Sequence, residues 1–449
     1  MEQGEDLRLD RLENKLVVVG MLVLTCYVLV LAAIRSPHLN DDSLITLTFA
    51  KNIAAGRGPV YNGGKPVYGS TTPLLVLIAA ALDFLPAVSL ARSVTFFTAL
   101  CLAGAGWLLY FFRSAYRLSP WMALVLAAIF ISFASPEYFG MEMFLFQFLM
   151  VLALSLFLSS RFFLSGFAVG FLFLARNEGF LLLPCLMFFA FVVQYYGGTR
   201  SWRVLLRPQI ILMAGAAVVG FSWLLTAYLV FERITPSTLD AKSAHMHFEG
   251  LKGYGFAGAW WLAASFDLWR RCATTQVPLL FLLPTVVLLL AGFYEASRNR
   301  PAFLVVALYV FLYIMGYSII DPLFFPWYMG PILFAIALFI GLGVCAFLIA
   351  LRDFLSRRML LACGVGATFL VCLPSILANA ASAEGFWADE RAPTYLKTAE
   401  WLRRNTDPDD AVSYAEVGYL GYYTDNKIID LAGLVTPEFI PYIRQNAVE

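Results

Sequence analysis

The sequence predicts an all-α polytopic membrane protein carrying a small α/β unit at its C-terminus. Three observations predict it. Of 449 residues, 61% are hydrophobic and 14% charged, against roughly 45–50% apolar and about 25% charged in soluble domains. The apolar residues come in long unbroken blocks rather than in alternation with polar ones. Arginines gather in the short segments between alternate blocks. Together these exclude a soluble globular enzyme, a disordered chain and a fibrous repeat.

A helix that crosses the hydrocarbon core needs about 20 apolar residues. The candidate spans are Leu16–Ile34, Leu90–Phe112, Trp121–Ala134, Met143–Ser159, Phe162–Ala175, Phe180–Tyr196, Gln209–Phe231, Val277–Tyr294, Ala302–Ile320, Trp327–Ala350 and Met359–Ala378. The first is read as a retained anchor, because it is too long for the core of a signal peptide and its flank Met1–Lys15 is acid-rich. Leu74–Leu85 is too short, contains Asp83 and is closed by Pro86. The arginines Arg113/Arg117, Arg161, Arg200/Arg203/Arg207, Arg298/Arg300 and Arg352/Arg357/Arg358 share the cytoplasmic side only if that stretch does not cross. It is therefore expected to be a re-entrant or interfacial helix.

The expectation is about eleven spans, with the N-terminus in the cytoplasm and the C-terminus outside. Residues 1–378 form the membrane unit, with outer loops at 35–89 and 232–276, and residues 379–449 form the extracytoplasmic α/β unit. In that tail, Tyr395, Leu396, Ala399 and Leu402 fall at helical spacing, and Ala411–Ala415 and Lys427–Leu431 read as short strands. It stops abruptly at Glu449, as a domain cut short would. No internal repeat and no inverted pair of broken helices is visible.

Net charge is +1, which offers nucleic acid no basic field. The seven cysteines form no CxxC pair and all but Cys272 lie in apolar runs, so they imply neither a disulfide framework nor a zinc knuckle. Asn62-Gly63-Gly64-Lys65-Pro66 lacks the leading Gly and the Ser/Thr of a phosphate-binding loop, and nucleotide-sugar use is unsupported. Gly341-Leu342-Gly343 lies inside an apolar helix and reads as small-residue packing. The tryptophans Trp260, Trp261 and Trp269 fit an interfacial belt.

The polar content concentrates outside, and its densest point is Asn40-Asp41-Asp42, directly after the first span. Asn and Asp favour helix N-caps, and a partly amphipathic helix over Ser43–Ala54 follows. Two adjacent acids exceed what a cap needs, so one is available to a substrate.

The run from Asp41 to Leu74 resembles the first outer loop of the C-type (GT-C) glycosyltransferases, which use lipid-phosphate sugar donors. Its strongest resemblance is to the mycobacterial terminal arabinofuranosyltransferases, whose loop reads approximately DDAYI…RYAxNLAxGxGLVYNPGExVEGYTNPLW. Asp41-Asp42, Ala50, Asn52, Gly56, Gly58, Tyr61-Asn62, Gly64, Gly69, Thr71 and Pro73-Leu74 match. Departures include Pro59, Gly63, Lys65, Ser70 and Thr72. Phe139-Gly140-Met141-Glu142, Ala175-Arg176-Asn177-Glu178-Gly179, Thr235 to Lys242, Phe325-Pro326-Trp327-Tyr328 and the segment Gly421 to Leu434 also resemble family motifs, in order. All fall on the outer side in a topology drawn from arginines alone.

The resemblance implies an inverting transferase moving a sugar, arabinofuranose by the same resemblance, from a polyprenyl-phosphate donor to a glycan or glycolipid hydroxyl at the outer face of a bacterial plasma membrane. Asp41 is the first choice of general base and Asp42 the second; the sequence does not separate them. Arg176 and Lys242 are the basic residues within the matched motifs and are expected to receive the leaving phosphate. Asn52, Tyr61, Asn62, Thr71, Glu142, Glu178, Trp327 and Tyr328 are expected around the substrate, with pairing of the two glutamates to Arg176 as the alternative. His245-x-His247 offers two ligand-type side chains without a third, so a divalent metal stays open and the sequence fixes no cofactor. A transporter or flippase of lipid-linked saccharides is the competing function. It would place ionisable groups near the midplane, where these spans carry almost none.

Overall fold

The computed structural model describes residues 2–36, 39–85, 88–199, 201–245, 282–320, 325–387, 391–414 and 416–445. Helix α1 (Glu2–Arg35) leads into two shorter helices, α2 (Asp41–Ala54) and α3 (Pro73–Leu82). A bundle of apolar helices follows: α4 (Leu90–Phe111), α5 (Pro120–Phe133), α6 (Met143–Leu158), α7 (Phe162–Ala175), α8 (Leu182–Tyr196) and α9 (Trp202–Phe231). After α10 (Ser237–His245) come α11 (Leu282–Asn299), α12 (Leu304–Ile320), α13 (Gly330–Leu351) and α14 (Arg357–Trp387).

Every expected span coincides with a helix, the described part of Val277–Tyr294 starting at Leu282. Among the described residues, seven helical stretches are long and apolar enough to cross a membrane, and α3, α5, α6 and α7 are shorter apolar helices. Helix α3 has ten residues, so it is about 15 Å long against a hydrocarbon core of about 30 Å. It cannot cross as a helix, and it packs with α2.

Helix α6 sits at the centre. Met143, Phe144, Leu145, Phe146 and Gln147 are buried in succession, which requires protein on every side of the helix. Helix α9 instead exposes Ile210, Phe221, Leu225 and Leu229, the apolar face that acyl chains cover. Two helix pairs meet through glycine. A Cβ on Gly166 of α7 would lie 2.0 Å from the Leu212 carbonyl oxygen of α9, and one on Gly343 of α13 would lie 1.9 Å from that of Leu288 in α11. Only the absence of a side chain permits such an approach, and Gly343 thereby has the packing role expected of it.

The C-terminal unit consists of α15 (Arg391–Asn405), β1 (Ala411–Tyr414), α16 (Gly418–Tyr423), β2 (Lys427–Asp430) and α17 (Ile440–Arg444). The strands pair in parallel, Ala411 opposite Lys427 and Tyr414 opposite Asp430. Behind β2, the buried Asp430 carboxylate accepts the backbone N–H groups of Ala432 and Val435 and folds the following turn.

Two features of the structure bear on the expected organisation. The boundary at 378/379 falls inside α14, which runs on to Trp387. The segment after Ala378 is polar yet rich in alanine, a strong helix former, and Asn379 donates to the carbonyls of Ser132 and Ala134. The C-terminal unit also shares its core with the first loop: Ile45, Phe49, Tyr61 and Val76 pack with Ala399, Leu402, Val417, Leu420, Ile428 and Val435.

Candidate functional site

The site grows from the N-terminus of α2. Asn40 is the cap: its Oδ1 accepts from the Ser43 amide at 2.8 Å and the Ser43 hydroxyl at 2.6 Å. The acids are therefore released from capping and occupy the first turn, where the helix dipole favours carboxylates. Successive helical residues point about 100° apart, and the two side chains meet different surroundings.

Asp41 faces the C-terminal unit. Its carboxylate accepts the backbone N–H groups of Gly418 and Tyr419, both at 2.9 Å. A Cβ on Gly418 would lie 2.0 Å from the Asp41 carbonyl oxygen, so glycine is needed for the approach. Burial raises the Asp41 pKa, the two amide bonds pull it down, and the charges of Glu416 and Asp430 add to the rise.

Asp42 faces the bundle. Among the described residues no hydrogen bond reaches its carboxylate. Burial pushes its pKa up to about 6; Lys242 opposes the shift, and Asp41, Glu142 and Glu416 add to it. A half-buried carboxylate of that kind, facing a cation, has an unoccupied acceptor.

Lys242 is carried by α10, and α10 is held from both sides. Ser237 donates to the carbonyls of Tyr68 and Leu434, and Ala241 and Ala244 pack with Ile440 and Ile443 of α17. Lys242 Nζ lies 5.4 Å from the Phe325 ring centroid and 5.7 Å from that of Tyr328, and donates to the Tyr328 hydroxyl at 3.4 Å. Trp327 stacks on Phe325 at 4.6 Å. Arg176 approaches the same Tyr328 ring, its Cζ 5.8 Å from the centroid. The structure thus brings Lys242, Tyr328 and Arg176 to one place, with Asp42 within reach of the Lys242 charge.

Arg176, however, is already neutralised. It follows α7 in extended backbone, is buried, and donates through Nε to Glu178 at 2.5 Å and through Nη1 to Glu142 at 2.7 Å. Two carboxylates around one guanidinium offset its charge. Glu142 and Glu178 thus pair with Arg176, the arrangement stated as the alternative to a place around the substrate.

Asn52, Tyr61 and Asn62, expected around the substrate, have hydrogen bonds within the protein. Asn52 donates to the carbonyls of Val60 and Tyr61. Tyr61 is buried and donates to the Val417 carbonyl at 2.9 Å. Asn62 both donates to and accepts from the backbone of Ile428 at the edge of β2. Their polar groups fasten the first loop to itself and to the C-terminal unit. Thr71 lies half-buried in the turn before α3. The side chain of His245, and the whole of His247 and the tryptophans of the second loop, lie outside the described residues. Among the described residues no three His, Cys, Asp or Glu side chains are grouped to hold a metal ion.

Sequence reasoning misses Glu416, whose charge reaches both aspartates, and Gly418. The spacing of Gly418 and Gly421 is a signal that could have found the contact. Three residues apart in a helix they share a face, and that face receives Asp41 and Tyr61.

A family model described as a domain of unknown function (DUF8728) matches residues 384–448, which include the C-terminal unit. No curated protein matches the chain in sequence. Among solved structures, the chain is similar to ArnT from Cupriavidus metallidurans bound to undecaprenyl phosphate, with a TM-score of 0.59 and 14% identity over 93% of this chain and 88% of that one. The apo form of the same protein gives a TM-score of 0.59 and 14% identity over 94% and 89%. At that identity the likeness speaks for the fold, and the chain has the polytopic helical membrane fold of the GT-C type.

Proposed function

We propose that this protein transfers a sugar from a polyprenyl-phosphate donor to a hydroxyl of a glycan or glycolipid. The observation that carries the reading is the Asp42 carboxylate, free of hydrogen bonds among the described residues and within reach of the Lys242 charge. The similar ArnT structure holds undecaprenyl phosphate, a lipid of the required class. In the reaction, Asp42 takes the proton of the acceptor hydroxyl as its oxygen bonds to the anomeric carbon. The bond from that carbon to the phosphate oxygen breaks on the opposite face, its electron pair leaves with the phosphate, and Lys242 compensates the charge. Asp41 is the positioning residue that docks the C-terminal unit beside the acceptor.

The sugar follows from the sequence resemblance, which favours arabinofuranose. Arginine placement favours the outer face of the plasma membrane, with a cytoplasmic N-terminus. A divalent metal is not needed for these steps.

The test is glycosyl transfer by purified protein in nanodiscs, with a panel of polyprenyl-phosphate sugars and the Asp42→Asn variant as control. Translocation of a lipid-linked saccharide without formation of a glycosidic bond would overturn the reading in favour of a flippase. Lys242→Ala is expected to weaken undecaprenyl phosphate binding about 10- to 100-fold, the range of one charged hydrogen bond. The base must be deprotonated, so the rate rises with pH up to about 6 and levels off above it. Lys242 holds the Asp42 pKa down, so in Lys242→Ala the acid limb of the profile moves to higher pH.

A further inference from the structure

On the solvent side of Asp41, α15 and the end of β1 present a set of tyrosines. The Tyr395 ring lies 6.1 Å from that of Tyr414, at 69°, and 5.6 Å from that of Tyr419, at 33°. Tyr414 is 43% exposed, so one end of the set is open to water. The other end is fixed to the site, because the Tyr419 amide donates to Asp41 and its hydroxyl donates to the Leu39 carbonyl. Between them, the Tyr395 hydroxyl donates to the exposed Glu416 carboxylate.

Folding does not call for this arrangement. A hydrogen bond between exposed groups contributes little to stability. Glu416 moreover adds a third negative charge beside two half-buried acids and raises the pKa of both, an electrostatic cost typical of functional sites. The charges also divide the site. Lys242 lies against Tyr328, whereas Asp41 and Glu416 lie on the side of the tyrosines. An anionic headgroup is attracted to the first side and repelled from the second. A neutral polyol suits the second, where its hydroxyls donate to a carboxylate and its C–H faces stack on aromatic rings.

Resting on the transferase reading, we infer that Tyr395, Tyr414 and Glu416 form the subsite for a neutral saccharide acceptor, whose attacking hydroxyl is thereby delivered to the aspartates. The full-length protein in nanodiscs is tested by saturation-transfer NMR with end-blocked neutral fragments of arabinan, galactan, mannan and glucan. Undecaprenyl phosphate binding is measured in parallel. The expected result is binding of at least one fragment, weakened roughly tenfold or more by Tyr395→Ala, Tyr414→Ala and Glu416→Gln. Tyr395→Phe, which keeps the ring, retains most of the affinity. All four variants bind undecaprenyl phosphate as the parent does. The inference is overturned if no fragment binds, if the variants bind as the parent does, or if undecaprenyl phosphate displaces the saccharide. Failure of the parent to bind undecaprenyl phosphate counts instead against the transferase reading itself.

Discussion

Asp42→Asn is expected to reduce sugar transfer by about 10²- to 10⁴-fold, the usual contribution of a general base, with the fold and undecaprenyl phosphate binding retained. The asparagine is nearly isosteric, and no described hydrogen bond to Asp42 is lost in making it. Asp41→Asn behaves differently. An amide oxygen can still accept one N–H, but its NH₂ group then faces the second, so either Gly418 or Tyr419 loses its partner. Leaving one such donor unpaired costs about 1–3 kcal/mol, visible as a lower unfolding temperature. The pair of variants therefore separates chemistry from docking. Full transfer activity in Asp42→Asn would remove Asp42 from the role of base, and an unfolding temperature unchanged in Asp41→Asn would remove Asp41 from the role of positioning residue.

Whether each aspartate's role is legible depends on how far away its partner lies. The spans are legible because one residue property, summed over about 20 positions, decides them. The helix and strands of the tail are legible from local spacing, and β1 and β2 fall within the ranges it predicts. Their docking is not, because it depends on contacts such as Asp41 with Gly418, 377 positions apart. Neither residue type announces the other. Three polar residues of the first loop that the family resemblance places near substrate are bonded inward instead. A motif shared across a family preserves a loop's architecture as readily as its chemistry. Asn62 shows this, matching the backbone of Ile428 through both its donor and its acceptor.

Arg176 shows how the sign of a group's surroundings changes a role read from its type. A cation at the end of an apolar helix suits a departing phosphate, yet Glu142 and Glu178 already hold it, with the ion pairs shielded from water. Arg176→Ala would leave two carboxylates buried and uncompensated, at a cost of about 3–5 kcal/mol. Arg176→Lys fares little better, since a single ammonium cannot reproduce two hydrogen bonds from a planar fork. Loss of folded protein in either variant does not by itself exclude phosphate binding. The combined Glu142→Gln, Arg176→Gln and Glu178→Gln variant removes all three charges together and avoids stranding any of them. If the triad is structural, this variant recovers folding and binds undecaprenyl phosphate within about threefold of the parent, well short of the weakening expected for Lys242→Ala. If it folds but loses that binding as Lys242→Ala does, Arg176 is a phosphate ligand after all, and the glutamates are counter-ions displaced when the donor arrives.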